Sequence, residues 1–109
     1  MGLSVTVTRR KEKKCPHCGE VAGYEVVAEL MGGGRNWYPI LERFGYYVPY
    51  ELRTEENDWY GKDMVLTTEQ ANELYRFSQH HEIYCSGGLR SVIAQALNEG
   101  DQIVINADW

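Results

Sequence analysis

The chain begins with a strict alternation of apolar and polar residues. Leu3, Val5 and Val7 alternate with serine and threonine, and this period of two predicts a half-buried β-strand. A second strand is predicted at 24–30, where aromatic and β-branched residues precede three consecutive glycines. Residues 103–105 are all apolar and β-branched, which indicates a central strand that is buried on both faces.

Helical periodicity dominates much of the remaining chain. Asn36 precedes apolar residues at i, i+3, i+4 and i+7 and is predicted to cap a short helix. Thr67 and Gln70 have the spacing of a capping box, which predicts the start of a longer helix. Gly100 is suited to end a third, amphipathic helix. The three predicted helices span residues 36–44, 67–81 and 89–99.

These elements predict an α+β fold. We expect a small antiparallel or mixed sheet of three to four strands, with two to three helices packed on one face. Residues 46–50 are predicted to add a short edge strand, and 53–63 to form a polar loop. With 109 residues, the chain is expected to form one domain, residues 1–109.

Composition excludes several classes of protein. The chain is 43% apolar and 25% charged, which is typical of a globular protein and not of a disordered or fibrous one. No stretch approaches the roughly 18 to 20 consecutive apolar residues that cross a bilayer. The first 14 residues lack the apolar core of a signal peptide. We therefore expect a cytoplasmic protein in a reducing compartment, without a membrane partner.

Charge is distributed unevenly along the chain. Residues 9–14 hold five bases and one acid, whereas the residues from 15 onward hold fifteen acids and six bases. The acidic body argues against broad binding to duplex DNA, because neutralised phosphates supply most of that affinity. Nucleic-acid binding through this basic arm, with Arg9 and Arg10 as contacts, remains an alternative hypothesis. A solvated charged turn is the other interpretation of the same residues.

The cysteines and histidines fall into two groups only. Cys15, His17 and Cys18 form one group, and His80, His81 and Cys85 form the other. A structural zinc site closes four tetrahedral positions with thiolates and imidazoles. The two groups together predict a zinc site of the Cys₃His type that joins a hairpin to the end of a helix. The predicted ligands are Cys15, Cys18, Cys85 and His81, with His80 or His17 as the alternative imidazole.

The first group has the local sequence of a metal-binding turn. Pro16 fixes a backbone angle for a tight turn, and Gly19 permits a positive φ. The sequence Cys15-Pro16-His17-Cys18-Gly19 resembles the CPxCG knuckle of zinc ribbons and rubredoxin-like sites. This resemblance covers five residues and implies zinc at the tip of a hairpin. The second Cys-x-x-Cys of a zinc ribbon is missing from the chain.

Four other interpretations of the cysteines stay open. Cys-Pro-His-Cys also resembles the active site of DsbA-type thiol oxidants, which place the first cysteine at a helix N-terminus. The pair Cys15 and Cys18 could equally be a metal-free turn. Cys85 could be a small buried side chain, or a nucleophile with His80 or His81 as its base.

Eight of the thirteen aromatic residues lie between positions 37 and 60. A chain of this length cannot bury all of them together with its aliphatic helices, so we expect Tyr47, Tyr50 and Tyr60 to be exposed. They share the segment 46–63 with several acids, among them Glu55. Tyrosine and tryptophan are common in binding hot spots. The alternative is that Trp37, Phe44 and Trp59 are core residues and only the tyrosine hydroxyl groups reach solvent.

The short length, the single CPHCG motif and the closing residues 99–109 resemble small proteins of bacteriophages and mobile elements in Gram-positive bacteria. The resemblance implies no assigned activity, but such proteins often act by binding, including as inhibitors of host defence systems. The leading hypothesis is therefore a non-catalytic, zinc-stabilised protein whose acidic, tyrosine-rich face binds a basic macromolecular partner. A nucleic-acid mimic is one form of such a protein. Zinc is the only predicted cofactor.

Overall fold

The computed structural model describes residues 3–85 and 87–109, with the Val21 side chain left aside. It confirms the α+β class: five antiparallel strands form one sheet in the order β3-β5-β1-β2-β4, accompanied by three α-helices. The strands are β1 (Ser4–Lys14), β2 (Val21–Gly33), β3 (Met64–Val65), β4 (Tyr84–Cys85) and β5 (Gln102–Asp108). The helices are α1 (Tyr38–Arg43), α2 (Thr68–His80) and α3 (Leu89–Glu99), with 3-10 turns at Arg35–Trp37 and Tyr50–Leu52.

The core lies between one face of the sheet and the helices. Val5 and Val7 of β1 lie in one cluster with Ile105 of β5, and all three are fully buried. Trp37, also fully buried, donates a hydrogen bond from Nε1 to the carbonyl of Tyr84 at 2.9 Å. This bond satisfies the indole N–H inside the core and joins the start of α1 to β4.

The predicted central strand is confirmed. β5 lies between β3 and β1, and residues 103–105 are 4% exposed or less. The prediction of three to four strands was too low, because β3 and β4 have two residues each. Two residues are too few to show the period of two by which a strand is recognised.

The helix signals were mostly correct. Thr67 and Gln70 form the capping box that starts α2, and Gly100 ends α3 with a φ of 75°. Asn36 was wrongly predicted as a cap, because its amide donates to the carbonyl of Glu82 at 2.6 Å. Among residues 3–85 and 87–109, no helix is long and apolar enough to cross a membrane.

Two strand predictions were wrong. Residues 46–50 form bends that lead into a 3-10 turn, not an edge strand. β2 continues through Gly32 and Gly33, which had been interpreted as a break. The glycines are required there because β4 and residue 3 approach closely: a Cβ on Gly32 would lie 2.5 Å from the carbonyl oxygen of Tyr84.

β1 and β2 extend beyond the rest of the sheet. β1 pairs with β5 only over its first seven residues, so Lys11 to Lys14 pair with β2 alone. We call this two-stranded extension, residues 11–25, the hairpin arm, and residues 15–20 the arm tip. The longest dimension of the molecule is 48 Å. β4 pairs with β2 only at Gly32 and Gly33, and β2 is bulged at two places along its pairing with β1.

Candidate functional site

The arm tip is a tight turn held by its own backbone. The N–H of Cys15 donates to the carbonyl of Glu20 at 2.7 Å, and the N–H of Gly19 donates to the carbonyl of Cys15 at 2.9 Å. Gly19 has a φ of 73°, in the left-handed region that glycine adopts without strain. The predicted hairpin turn and the predicted role of Gly19 are both confirmed.

The two thiols of the tip lie together. Backbone N–H groups of His17 and Cys18, and the thiol of Cys18, donate hydrogen bonds to the Cys15 sulfur and lower the pKa of Cys15 below its ordinary value. Such N–H donors stabilise a thiolate, which is the form that binds a metal ion. The donor set therefore fits half of a tetrahedral zinc site.

The other two predicted ligands lie far from the tip. Cys85 pairs with Gly32 of β2, whereas the arm tip adjoins the other end of the same strand, at Val21. Gly32 and Val21 are eleven positions apart along β2. At about 3.3 Å per residue, this separates Cys85 from the tip by roughly 30 Å or more. His81 ends α2 and stacks on Phe77, with ring centroids 4.3 Å apart.

The predicted Cys₃His site is therefore not assembled within this chain. In the part of the chain that the structure describes, no three residues among His, Cys, Asp and Glu are grouped to hold a metal ion. Cys15 and Cys18 are brought together, whereas Cys85 and His81 are not brought to them. The sequence spacing of the cysteines could not reveal their separation in space, because a long hairpin carries its turn away from the body.

Cys85 is a poor nucleophile in this structure. Burial raises the pKa of its thiol to about 11, which keeps it protonated at neutral pH. A reactive cysteine needs the opposite, an environment that stabilises the thiolate. The interpretation of Cys85 as a small, partly buried side chain fits its position beside the core.

Arg9 has a structural role that the sequence did not reveal. It is 5% exposed and donates from Nε to Asp101 at 2.7 Å and from Nη1 to Gln95 at 2.9 Å, and its Nη2 contacts Glu99. Arg10 donates to Gln102 at 2.8 Å, and its guanidinium lies 4.0 Å from the centre of the Tyr24 ring. The two arginines proposed as nucleic-acid contacts are therefore both engaged within the protein.

Residues 46–63, which we call the acidic loop, lie between α1 and β3. Five of these residues are acidic and two are basic. Tyr50 and Tyr60 are 85% and 48% exposed, as predicted. Tyr47 was wrongly predicted to be exposed: it is half-buried and packs edge-to-face against Tyr38 and Trp109, with ring centroids 4.8 and 5.1 Å apart.

Side-chain hydrogen bonds hold the acidic loop in one shape. Asn57 accepts from the N–H of Thr54 at 2.7 Å and donates to the carbonyl of Leu52 at 3.2 Å. Tyr46 is fully buried; its hydroxyl donates to the carbonyl of Lys62 at 2.7 Å and accepts from the N–H of Ala107 at 2.7 Å. The loop is thus fixed both internally and to β5.

Trp109 supports the loop from the last position of the chain. Its ring lies 5.1 Å from that of Tyr47 and 4.9 Å from that of Tyr60, both edge-to-face. The guanidinium of Arg53 lies 5.2 Å from the Trp109 ring centre, within the range of a cation–π contact. Arg53 also donates to the carbonyl of Val48 at 2.9 Å. Sequence reasoning missed Trp109 and Arg53, which have no periodic or motif signal.

Within residues 50–56 the loop presents apolar and acidic side chains together with Thr54, and the base Lys62 is exposed near its other end. Tyr50 is joined by Leu52, which is 68% exposed, while Glu51, Glu55 and Glu56 are exposed around them. Because Arg53 is engaged with Trp109 and Val48, its charge is directed into the loop. The result is a rigid, negatively charged surface with two protruding apolar side chains.

In comparisons with protein-family models, with curated proteins and with solved structures, nothing matches this chain. Its function is therefore argued from the chemistry of the acidic loop and of the arm tip.

Proposed function

We propose that this chain is a non-catalytic binding protein that recognises a basic protein surface through the acidic loop. One observation supports the proposal above the others: Tyr50 and Leu52 are 85% and 68% exposed on a loop that hydrogen bonds of Tyr46 and Asn57 hold in place. Two neighbouring exposed side chains of this kind on an ordered loop have the character of a docking surface.

Rigidity favours binding in a specific way. A loop that is ordered before contact loses little conformational entropy on binding, so more of the contact energy appears as affinity. Here Asn57 orders the loop from within, and Tyr46 and Trp109 pack against the loop from its ends. The exposed residues are thereby left free to make contacts with a partner.

Charge selects the kind of partner. Glu51, Glu55 and Glu56 surround the protruding side chains, and the chain as a whole has a net charge of −5. A complementary surface is rich in lysine and arginine, and attraction over the Debye length raises the rate of encounter. Many lysine- and arginine-rich protein surfaces bind nucleic acid. The acidic loop would compete with nucleic acid for such a surface on the partner, and the chain would thereby act as an inhibitor of a host system.

Zinc at the arm tip is the second part of the proposal. Cys15 and Cys18 would hold the ion, and the N–H groups of His17 and Cys18 would offset thiolate charge. We further propose a cytoplasmic location, where free thiols at Cys15, Cys18 and Cys85 would stay reduced.

The decisive experiment is an affinity capture with a charge-and-shape variant. The wild-type chain and the double variant Tyr50→Ala, Glu55→Ala are immobilised and exposed to lysate at low and physiological salt. We expect a basic protein that wild type retains and the double variant loses. Retention should weaken as salt rises, because the contact is electrostatic in part.

A matched control comes from another part of the surface. Tyr84 is 72% exposed on β4, next to exposed Glu82, and the double variant Tyr84→Ala, Glu82→Ala removes the same groups outside the loop. It should capture the same protein as wild type. Equal loss in both variants, or no loss in the loop variant, would contradict a role for the acidic loop.

A further inference from the structure

The arm tip offers two metal ligands and lies where a second molecule can reach it. Cys15 and Cys18 share a turn that two backbone hydrogen bonds close, from Cys15 to Glu20 at 2.7 Å and from Gly19 to Cys15 at 2.9 Å. Cys18 is exposed, and so are Pro16 and His17 around it. Two thiolates are half of what a closed tetrahedral zinc site requires.

The same chain does not supply the other half. Cys85 lies beside Gly32, eleven positions along β2 from the end of the arm, and His81 is stacked on Phe77. Across residues 3–85 and 87–109, no group of three metal-binding side chains is found. An ion held by Cys15 and Cys18 alone would keep two positions open to water, which a structural zinc site does not do.

From this geometry we propose that two copies of the chain join at their arm tips and share one zinc ion. Cys15 and Cys18 of each copy supply four thiolates in all, related by a twofold axis through the metal. Symmetric pairing of identical surfaces is the commonest way in which proteins form dimers. This inference rests on the zinc binding proposed for the arm tip and does not depend on the function of the acidic loop.

The shape of the arm permits this arrangement. The pairing with β5 stops at Arg10, so the last four residues of β1 pair with β2 alone. The tip therefore projects from the body, and two tips can meet without contact between the two sheets. A turn lying flat on the sheet would not allow it.

The local charge also suits four thiolates. A zinc ion with four thiolates has a net charge of −2. Lys13 and Lys14, both exposed, immediately precede Cys15, while Glu20 is the single acid in the turn. Each copy thus brings more positive than negative charge next to the site, which stabilises the anionic complex.

The shared site would make the protein bivalent. Each copy keeps its acidic loop on the body, away from the tips, so one zinc ion links two independent binding surfaces. A partner with repeated basic sites would be held more tightly by the pair than by a single copy.

The test measures mass and metal together on the full chain under reducing conditions. Light scattering after size-exclusion chromatography should give the mass of one chain in chelator and of two chains with zinc. Bound zinc should saturate at one ion per two chains. Titration with cobalt should show the absorption of tetrahedral thiolate coordination, complete at the same half equivalent.

Single substitutions distinguish the proposed zinc ligands, Cys15 and Cys18, from Cys85, which is not expected to bind the metal. Cys15→Ser and Cys18→Ser should each abolish zinc binding and leave a folded monomer, because the tip lies outside the core. Cys85→Ser is the matched control and should dimerise with zinc as wild type does.

Four results would each overturn the proposal. They are a monomer that binds one zinc ion, a chain that binds none, a dimer that survives chelator, and loss of zinc in Cys85→Ser. A chelator-resistant dimer would indicate pairing along the free edge of β2. Loss of zinc in Cys85→Ser would assign the metal to the distant cysteine.

Discussion

The guanidinium of Arg9 donates a hydrogen bond from Nε to the carboxylate of Asp101, at 2.7 Å. The side chains of the two residues are only 6% and 7% exposed, and they are 92 positions apart in the sequence. The pair joins β1, at the base of the hairpin arm, to the turn between α3 and β5. The positive charge of Arg9 therefore holds β1 to the end of α3.

Replacing Arg9 with methionine should destabilise the fold. The change leaves the buried carboxylate of Asp101 with only Lys11, 4.0 Å away, as a cationic neighbour, and breaking a buried pair costs about 3 to 5 kcal/mol. Urea denaturation followed by circular dichroism measures the difference in free energy of unfolding. Lys13→Met, an exposed substitution in the same arm, should change stability by less than about 0.5 kcal/mol. Equal stability of Arg9→Met and wild type would show that the pair does not stabilise the fold.

Tyr46→Phe should destabilise the fold through a lost hydroxyl. The N–H of Ala107 loses its acceptor and the carbonyl of Lys62 loses its donor, which costs about 1 to 3 kcal/mol. Thermal unfolding should show the loss directly. Tyr60→Phe removes the same atom from a residue that is 48% exposed and should unfold like wild type.

Stability should fall in alkaline solution because of Cys85. The folded chain holds the Cys85 proton up to a pKa of about 11, whereas the unfolded thiol releases it near its ordinary value of 9.0. Between these values the unfolded state binds fewer protons, so the free energy of unfolding decreases as pH rises. This contribution is complete below pH 9 and is lost as pH passes 11. It is on the order of 2 kcal/mol.

The measurement is urea denaturation from pH 8 to 11 on wild type and Cys85→Ala. The alanine variant should lose less stability across this range, since it lacks the thiol. Tyr46, whose pKa burial also raises, contributes the same trend in both proteins. Parallel curves for the two proteins would refute the contribution of Cys85.

The three cysteines should react at very different rates with iodoacetamide in metal-free protein. A pKa of about 11 instead of 9.0 gives Cys85 roughly a hundredfold smaller thiolate fraction at neutral pH. Cys15, whose pKa is lowered, should be among the first to react. Mass spectrometry of timed samples should find two fast sites and one slow one. Fast alkylation of Cys85 would reopen the nucleophile hypothesis.

Trp109→Ala should loosen the acidic loop without unfolding the chain. The ring contacts Tyr47 and Tyr60 and lies under Arg53, so its removal frees all three. Hydrogen exchange should accelerate in residues 46–63 and stay unchanged in α2. Unchanged exchange in the loop would mean that Tyr46 and Asn57 are sufficient to hold it.

Elements with a complete local signal were predictable from the sequence. Thr67 and Gln70 are close in sequence and form their capping box unaided, and Gly100 ends α3 by its own backbone freedom. Residues 103–105 are central because their apolar run has no polar side to expose. In these cases neighbouring residues contain all the information.

The predictions that were wrong concern features that depend on contacts between residues distant in the sequence. Gly32 and Gly33 belong to β2 because they pair with Val5 and Ser4 of β1 on one side and with β4 on the other. Arg9 looked like part of a solvated basic run because its acidic partners lie some ninety positions away. The two cysteine groups were predicted to form one site because the amino-acid sequence does not show how far a long hairpin carries its turn from the body. Tyr47 is half-buried because the last residue of the chain packs on it.

The hairpin arm has a consequence for how this protein can change. Its outer residues pair only with each other, so inserting two residues in each strand lengthens the arm by about 7 Å and keeps every side chain on its original face. Such an insertion would leave the packing of the hydrophobic core unchanged. Reach is thus a property that evolution or an engineer can adjust separately from folding.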